Sequence, residues 1–520
     1  MTADLYDVLI VGAGPVGSTA ANVAAAAGLR CLLVDASAEV FPLPRAIHFD
    51  ADIMRIFQSA GLADRIEPIT RSTSGGVHLG VDGEPIRVFR VEPGVGDLGW
   101  RPHYMFFQPE LDGLLREAAR ERPEVDVLLG WTAGAVDQDD SEVRLALSGP
   151  DGETRAVRGR YLLAADGASS AIRAQTGLRL ADHGFEEPWV IVDGLVPDAG
   201  QGPDHTIMYC DPARPGTYVP GPGRHRRWEF MVLPGERDRD VRDPDAVRAM
   251  IGPVTPWLDM DDLEVGRIAV YRFHGLVAER WSSGRVFLAG DAAHQTPPFY
   301  GQGMCHGIRD VRNLLWKIAA VLDGSAPAAL LDTYQAEREP HVRAIIDASV
   351  ANGRYICTLD PELALRRDAE LRERMARGAD ARAFREIIPG LTTGLLDPDG
   401  GSEATGLLFV QPTETTPDGR TRRFDDRLGD GFALVTTLDD VAHADVGWLT
   451  ERLRGRVVTV PEADGTIARW MAEFDCVAAL VRPDRYVFGV ARTREDVPVL
   501  VDALRTAVAA SPGALVPEAR

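Results

Sequence analysis

Short apolar runs that stop abruptly at glycine recur along this chain and give the first guide to its architecture. Residues 7–11 (D-V-L-I-V) end on glycines, residues 18–27 are alanine-rich, and residues 31–34 form a second apolar run closed by Asp35. Uninterrupted apolar runs belong to strands covered on both faces, and alanine favours helix. The pattern therefore predicts a βαβ unit in a parallel sheet. Strand character returns at 161–165 and at 286–289, the second followed by a helix over 305–322. Between them, residues 180–275 are rich in Pro, Gly and aromatic residues and alternate in polarity, as at 228–232, which predicts antiparallel sheet.

Residues 361–387 are charged and helical in pattern, and 389–401 carry the Gly and Pro of a linker. Strand 432–436, helix 446–453, strand 456–460, helix 466–474, a hairpin of 476–481 with 486–491, and helix 496–509 follow. That order, βαβαββα, is thioredoxin-like. The expected fold class is α/β: a Rossmann-type domain, an inserted antiparallel-sheet domain and a C-terminal thioredoxin-like domain. The boundaries expected are 1–75, 100–180 and 275–395 for the first, 76–99 and 181–274 for the second, and 402–520 for the third.

Composition narrows the function classes. A chain of 520 residues exceeds one hydrophobic core, and 45 % hydrophobic with 26 % charged residues is the ordinary globular range. The formal net charge of -22 repels phosphate backbones and anionic lipid, so neither nucleic acid nor membrane is an expected partner. Five scattered cysteines without C-x-x-C argue against disulfides and a zinc site; no metal is expected, and a reducing cytoplasm is. The acidic N-terminus lacks signal-peptide character, and no run of 18 apolar residues occurs. Lys317 is the only lysine.

Three motifs carry the chemistry. Gly12-Ala13-Gly14-Pro15-Val16-Gly17 is G-x-G-x-x-G between a strand and a helix, with Asp35 closing the second strand where a carboxylate accepts from ribose hydroxyls. Gly12 allows the tight turn, Gly14 the approach of a pyrophosphate, and Gly17 close helix packing. This motif binds a dinucleotide without distinguishing NAD from FAD. Asp166-Gly167, within D-G-A-S-S-A-I-R, and Gly290-Asp291-Ala292-Ala293-His294, followed by Pro297-Pro298 and Gly301-Gln302-Gly303-Met304, each put a carboxylate at a strand-end turn.

With these motifs in order, the chain resembles the class A flavoprotein aromatic monooxygenases of the para-hydroxybenzoate hydroxylase fold. The likeness is greatest to the 3-(3-hydroxyphenyl)propionate hydroxylase branch, through Pro44-Arg45-Ala46-Ile47-His48, Phe107-Gln108-Pro109-Glu110-Leu111, Arg227-Trp228-Glu229-Phe230-Met231 and residues 290–317. The resemblance implies that Gly12, Gly14, Pro15, Gly17 and Asp35 hold the ADP half of FAD. It implies that Arg45, Gln108, Asp166 and Gly167 contact the cofactor, and that Gly290, Asp291, Gly301, Gly303 and Met304 contact its ribityl side, with Pro298 beside the reactive edge. It further implies a cycle in which NAD(P)H reduces FAD and O₂ adds to give a C4a-hydroperoxide that hydroxylates a phenolic ring. No separate nicotinamide domain is expected.

The expected substrate is a small phenol, hydroxylated next to its existing hydroxyl and optionally bearing an acidic side chain. His48, Tyr209, Arg227, Pro298 and His306 are the catalytic candidates, with His205 and Tyr218 as further candidates for the proton-handling group. Tyr209, Tyr218 and Trp228 are expected to stack on the ring, and Arg224, Arg226 and Arg227 to meet an anion. Tyr300 and His306 stand where relatives carry aliphatic and small residues, which points away from the simplest phenylpropionate. Baeyer–Villiger oxidation or epoxidation of a polyketide-like compound on the same scaffold is the alternative; the absence of W-x-W argues against halogenation. The tail is expected to be dispensable for flavin chemistry and to serve packing or a homodimer.

Overall fold

The computed structural model describes residues 5–378, 388–399, 401–415, 419, 421–461 and 465–510. Part of the expected helix 361–387 lies outside the described residues; the helix itself is Pro361–Ala376. The βαβ unit forms as its pattern requires. Strand Leu5–Val11, helix Pro15–Ala26 and strand Cys31–Asp35 are joined by parallel pairing of Val8 with Cys31 through Val11 with Val34. Val8, Leu9, Ile10 and Leu33 are wholly buried, which is why these strands read as unbroken apolar runs.

The parallel core runs Val286–Leu288, Thr154–Ala164, Leu5–Val11, Cys31–Asp35, Val125–Leu129. The run at 161–165 is the end of the long strand Thr154–Ala164, whose earlier half pairs antiparallel with Val143–Ser148. The glycine turn, the Asp166-Gly167 turn and the Gly290-Asp291 turn thus leave three adjacent strands at the same edge.

A second, eight-stranded sheet has Glu264–Ala278, Leu180–Leu195, His225–Met231, Gly216–Pro220 and Thr206–Tyr209 in sequence. Gly75–Leu79 and Pro85–Arg90 extend it, the former parallel to Thr206–Tyr209. Along its central strands alternate residues face opposite ways. Val190, Val192, Tyr218, Trp228 and Phe230 enter an apolar cluster beneath helix Pro244–Ile251, while Ile191, Thr217, Val219, Arg227 and Glu229 face the cavity described below.

The tail sheet runs Arg456–Thr459, Ala433–Thr436, Ala478–Val481, Val487–Ala491; only its first pair is parallel, as the thioredoxin-like reading requires. It does not stand apart. The turn after Val481 inserts against the helices Gly303–Leu322 and Thr333–Ile356 through buried charges. Glu337 accepts from Lys317 Nζ at 2.8 Å, Asn313 Nδ2 at 2.6 Å, Arg482 Nη2 at 2.7 Å and the Leu395 N–H at 2.8 Å. Asp484 faces Arg482 and Trp316, and Asp425 clasps Arg55 at 2.6 Å. Lys317, Glu337 and Arg482 have no solvent exposure.

Candidate active site

One cavity of about 1540 Å³ runs from the glycine turn to the inner face of the eight-stranded sheet. A drug-sized ligand needs roughly 300–1,000 Å³, so more than one ligand fits.

At the glycine end, a Cβ on Gly12, whose φ is +101°, would lie 2.3 Å from the Ala165 carbonyl oxygen, and one on Gly17 would lie 1.8 Å from that of Gly12. Side chains at either place would pry the turn from its neighbours. Gly14 differs: a Cβ there meets nothing within 4 Å, because it faces the cavity beside Pro15, at the open N-terminus of its helix. Such helix starts receive phosphate. Asp35 accepts the Ala13 N–H at 2.6 Å and the Ser37 N–H at 2.7 Å, so its carboxylate pins this turn.

The other motifs converge on the same space. Gln108 Oε1 accepts the N–H groups of Arg45 at 2.7 Å and Ala46 at 2.8 Å, fixing the segment from which the exposed Arg45 side chain reaches the cavity. Gly167, at φ +81°, is open to the cavity. Asp166 accepts the Ile172 N–H through one oxygen, while its Oδ1 is buried without a hydrogen-bond partner. Gly290 packs on Val16 and donates its N–H to Asp310. Asp291 is enclosed by protein yet open to the cavity, and burial pushes its carboxyl above the usual range. Pro298, Gly301, Gly303 and Met304 complete this wall. An unfilled space at Gly14, a helix start, an orphan carboxylate oxygen and a cavity-facing carboxylate together fit the pyrophosphate and hydroxyls of FAD.

The sheet end is a largely apolar cage that includes Phe89, Ile191, Met208, Val219, Phe273 and Phe299. His48, on strand His48–Asp50, lies against Gly301 and pairs its Nε2 with His103 Nδ1 at 2.7 Å. Burial lowers both imidazoles, His103 to about 3, with His48 itself adding to that shift. Both rings line the cavity.

Several expected site residues lie elsewhere. Tyr209 donates its hydroxyl to the Val254 carbonyl at 2.9 Å, Tyr218 to that of Pro203, and Trp228 donates its indole N–H to Thr255; all three belong to the far face of the sheet. Aromatic content located the right strands, but alternation assigns the cavity to the opposite residues. His306 is wholly buried between His294 and His341, at ring separations of 5.7 and 6.0 Å, with neither nitrogen hydrogen-bonded, and is not in the cavity wall. His205 sits at the surface beside Asp204. Arg224 pairs with Glu264 near the surface, and Arg226 is consumed by backbone carbonyls.

Arg227 does reach the cavity, but its guanidinium is committed: to Asp193 at 2.8 Å, the Arg45 carbonyl at 2.6 Å and the Pro44 carbonyl at 2.8 Å. It braces the Arg45 segment and is not available to an anionic substrate. The tail also reaches the site, since Leu407, Leu408 and Tyr486 form part of the cavity wall. Sequence reasoning also passed over His103, Glu229 and Tyr271, which line the cavity. For His103 a signal existed, as it opens the short run leading into Phe107-Gln108-Pro109.

Comparison with known proteins accords with this geometry. Residues 5–349 match the model of the family described as FAD binding domain. A protein of Rhodococcus jostii (strain RHA1) named as a probable NADH-specific resorcinol 4-hydroxylase is 36 % identical, over 97 % of this chain and 96 % of its own. The 3-(3-hydroxy-phenyl)propionate/3-hydroxycinnamic acid hydroxylase of Burkholderia cenocepacia (strain HI2424) is 33 % identical, over 92 % of this chain and 93 % of its own. Among solved structures, the flavin-dependent monooxygenase PieE in complex with FAD and substrate superposes with a TM-score of 0.82 at 25 % identity, covering 98 % of this chain and all of that one. Among the described residues no helix is long and apolar enough to cross a membrane. The three glycine turns that share one cavity wall, together with these relatives, establish that the chain belongs to the FAD-binding-domain family of class A flavin-dependent aromatic monooxygenases.

Proposed function

We propose that this protein hydroxylates a phenolic ring: phenol, O₂, NAD(P)H and a proton give a dihydric phenol, NAD(P)⁺ and water. The observation that carries the reading is one cavity with a dinucleotide-shaped end and an apolar, ring-sized end. FAD, when bound and reduced, supplies the activation of O₂; the relative named for NADH makes NADH the donor to test first. Gly14, Gly167, Asp166, Asp291 and the Arg45 segment hold the cofactor. The cage residues exclude water and present one ring face.

The His48–His103 pair orients the phenol hydroxyl for proton loss. Buried and neutral at pH 7, the pair lines the cavity, and the contact between Nε2 and Nδ1 fixes both rings beside the Pro298–Gly301 turn. A more electron-rich, deprotonated ring accepts oxygen faster. The substrate is therefore a phenol, and the enzyme acts in the compartment that holds NADH.

The test is a panel of phenols and ketones incubated with NADH or NADPH, following cofactor oxidation, hydrogen peroxide and product mass together. A gain of one oxygen on a phenol is expected. Oxygen insertion beside a ketone would replace this reading with the Baeyer–Villiger alternative, and peroxide without product on every phenol would overturn it.

A further inference from the structure

The cage has a second polar corner that the proton chemistry above leaves unused. Tyr300 follows Pro298 and Phe299 in the turn against His48 and lines the cavity, as does His78 from the strand next to the sheet's edge. The Tyr355 hydroxyl reaches His78 Nδ1 at 2.5 Å from the end of helix Thr333–Ile356. Behind the wall lies Arg87, over the ring of the cavity-lining Phe89 at 4.3 Å, with its Nε buried and without a hydrogen-bond partner. Burial works against the Arg87 charge, yet the Tyr355 and Tyr300 phenols beside it hold its pKa above the ordinary value. Among the described residues Arg87 forms no ion pair with a carboxylate, and the largest influences on it after burial are the two phenols. The corner therefore presents hydrogen-bond donors backed by a guanidinium without an ion-pair partner among the described residues.

We propose that Tyr300, backed by Arg87, is a specificity-determining residue that donates a hydrogen bond to a second oxygen substituent on the phenol. This rests on the hydroxylase reading and deepens it. The His48–His103 pair receives the hydroxyl that activates the ring, and Tyr300 receives an acceptor oxygen carried elsewhere on it. A ring with a methyl group at that position leaves the Tyr300 hydroxyl facing apolar surface, which is costly. Preferred substrates are thus phenols with an additional hydroxyl or carboxylate, over alkylphenols of the same size.

The experiment compares resorcinol, 3-(3-hydroxyphenyl)propionate and 3-methylphenol on the FAD-loaded enzyme and on Tyr300→Phe and Arg87→Met. Dissociation constants are read from perturbation of the flavin spectrum, and kcat and KM from NADH oxidation. Tyr300→Phe should raise Kd and KM for the oxygenated ligand that the wild type prefers by about tenfold. Binding of 3-methylphenol should change less than twofold, as should kcat. A larger loss for the propionate than for resorcinol in Arg87→Met assigns the corner to a carboxylate, and equal losses assign it to a hydroxyl; both support the proposal. Equal effects of Tyr300→Phe on all three ligands, or none on any, overturn it while the hydroxylase reading stands. If the wild type oxidises no phenol, the hydroxylase reading itself has failed, and the proposal with it.

Discussion

Replacing Glu337 by Ala should loosen the seam between the tail and the flavin domain. The carboxylate is shared by Lys317, Arg482, Asn313 and the Leu395 N–H, contributed by the helix Gly303–Leu322, the tail turn and the linker, all buried. Removing it leaves two buried cations facing Asp484 alone. Breaking a buried pair costs about 3–5 kcal/mol, and the unsatisfied Leu395 N–H adds about 1–3 kcal/mol when no water reaches it. These contributions share partners and do not simply sum, so a net loss of about 4 kcal/mol is expected. Urea unfolding followed by both flavin fluorescence and far-UV dichroism measures it. A second change, Lys317→Met, should recover part of the loss by removing a stranded charge, a sign that a simple cavity would not produce. The pH profile is a separate check. Burial lowers Lys317 to about 8 from 10.5, with Glu337 opposing. Between those values the unfolded chain binds the extra proton, so this lysine's contribution makes stability rise with pH across that window. Lys317→Met should remove that rise. A Glu337→Ala protein within 1 kcal/mol of the wild type would refute the charge-latch account.

Three further outcomes follow from the site. Gly14→Val should yield correctly folded protein with little bound FAD, because its Cβ meets no protein atom within 4 Å and its side chain enters the open cavity; full flavin occupancy in the purified variant would refute the pyrophosphate assignment. His306 and His341 are buried and held well below the ordinary histidine value, first by desolvation, so the unfolded chain gains protons that the folded chain refuses. Stability should fall as pH drops below about 6.5, and His306→Leu should flatten that slope in thermal melts at pH 5 to 7. Truncation after residue 395 should lose FAD and solubility, since Tyr486 and Leu408 leave the cavity wall and Glu337, Asn313 and Arg55 lose partners. A truncated protein that stays yellow and active would restore the separable tail.

How much of this was legible in the sequence depends on the distance over which each feature is determined. The βαβ unit and the three glycine turns are local: apolar runs, helix former and turn residues agree within thirty positions, and the strands pair as that pattern demands. The parity of the central sheet is not local. Both faces of His225–Met231 are covered, one by helix Pro244–Ile251 and the other by the cavity, so Trp228 and Glu229 were equally credible inward residues. On this strand the aromatic side chains, Trp228 and Phe230, went to the drier face. His306 misled because a histidine among active-site motifs reads as chemistry, whereas the helix Gly303–Leu322 turns it away from the cavity. The tail contacts join residues more than 140 positions apart, and no spacing rule reaches so far.

The isolation of Lys317 has a practical corollary for anyone handling the enzyme. Acylating agents, aldehyde fixatives and amine-coupled supports find no lysine on the folded surface, since the single one is enclosed between two helices and the tail. The same enclosure turns that amine into a built-in clock. Its rate of acylation reports how often the seam opens, and mass spectrometry of one arginine-bounded peptide would read it without an introduced probe.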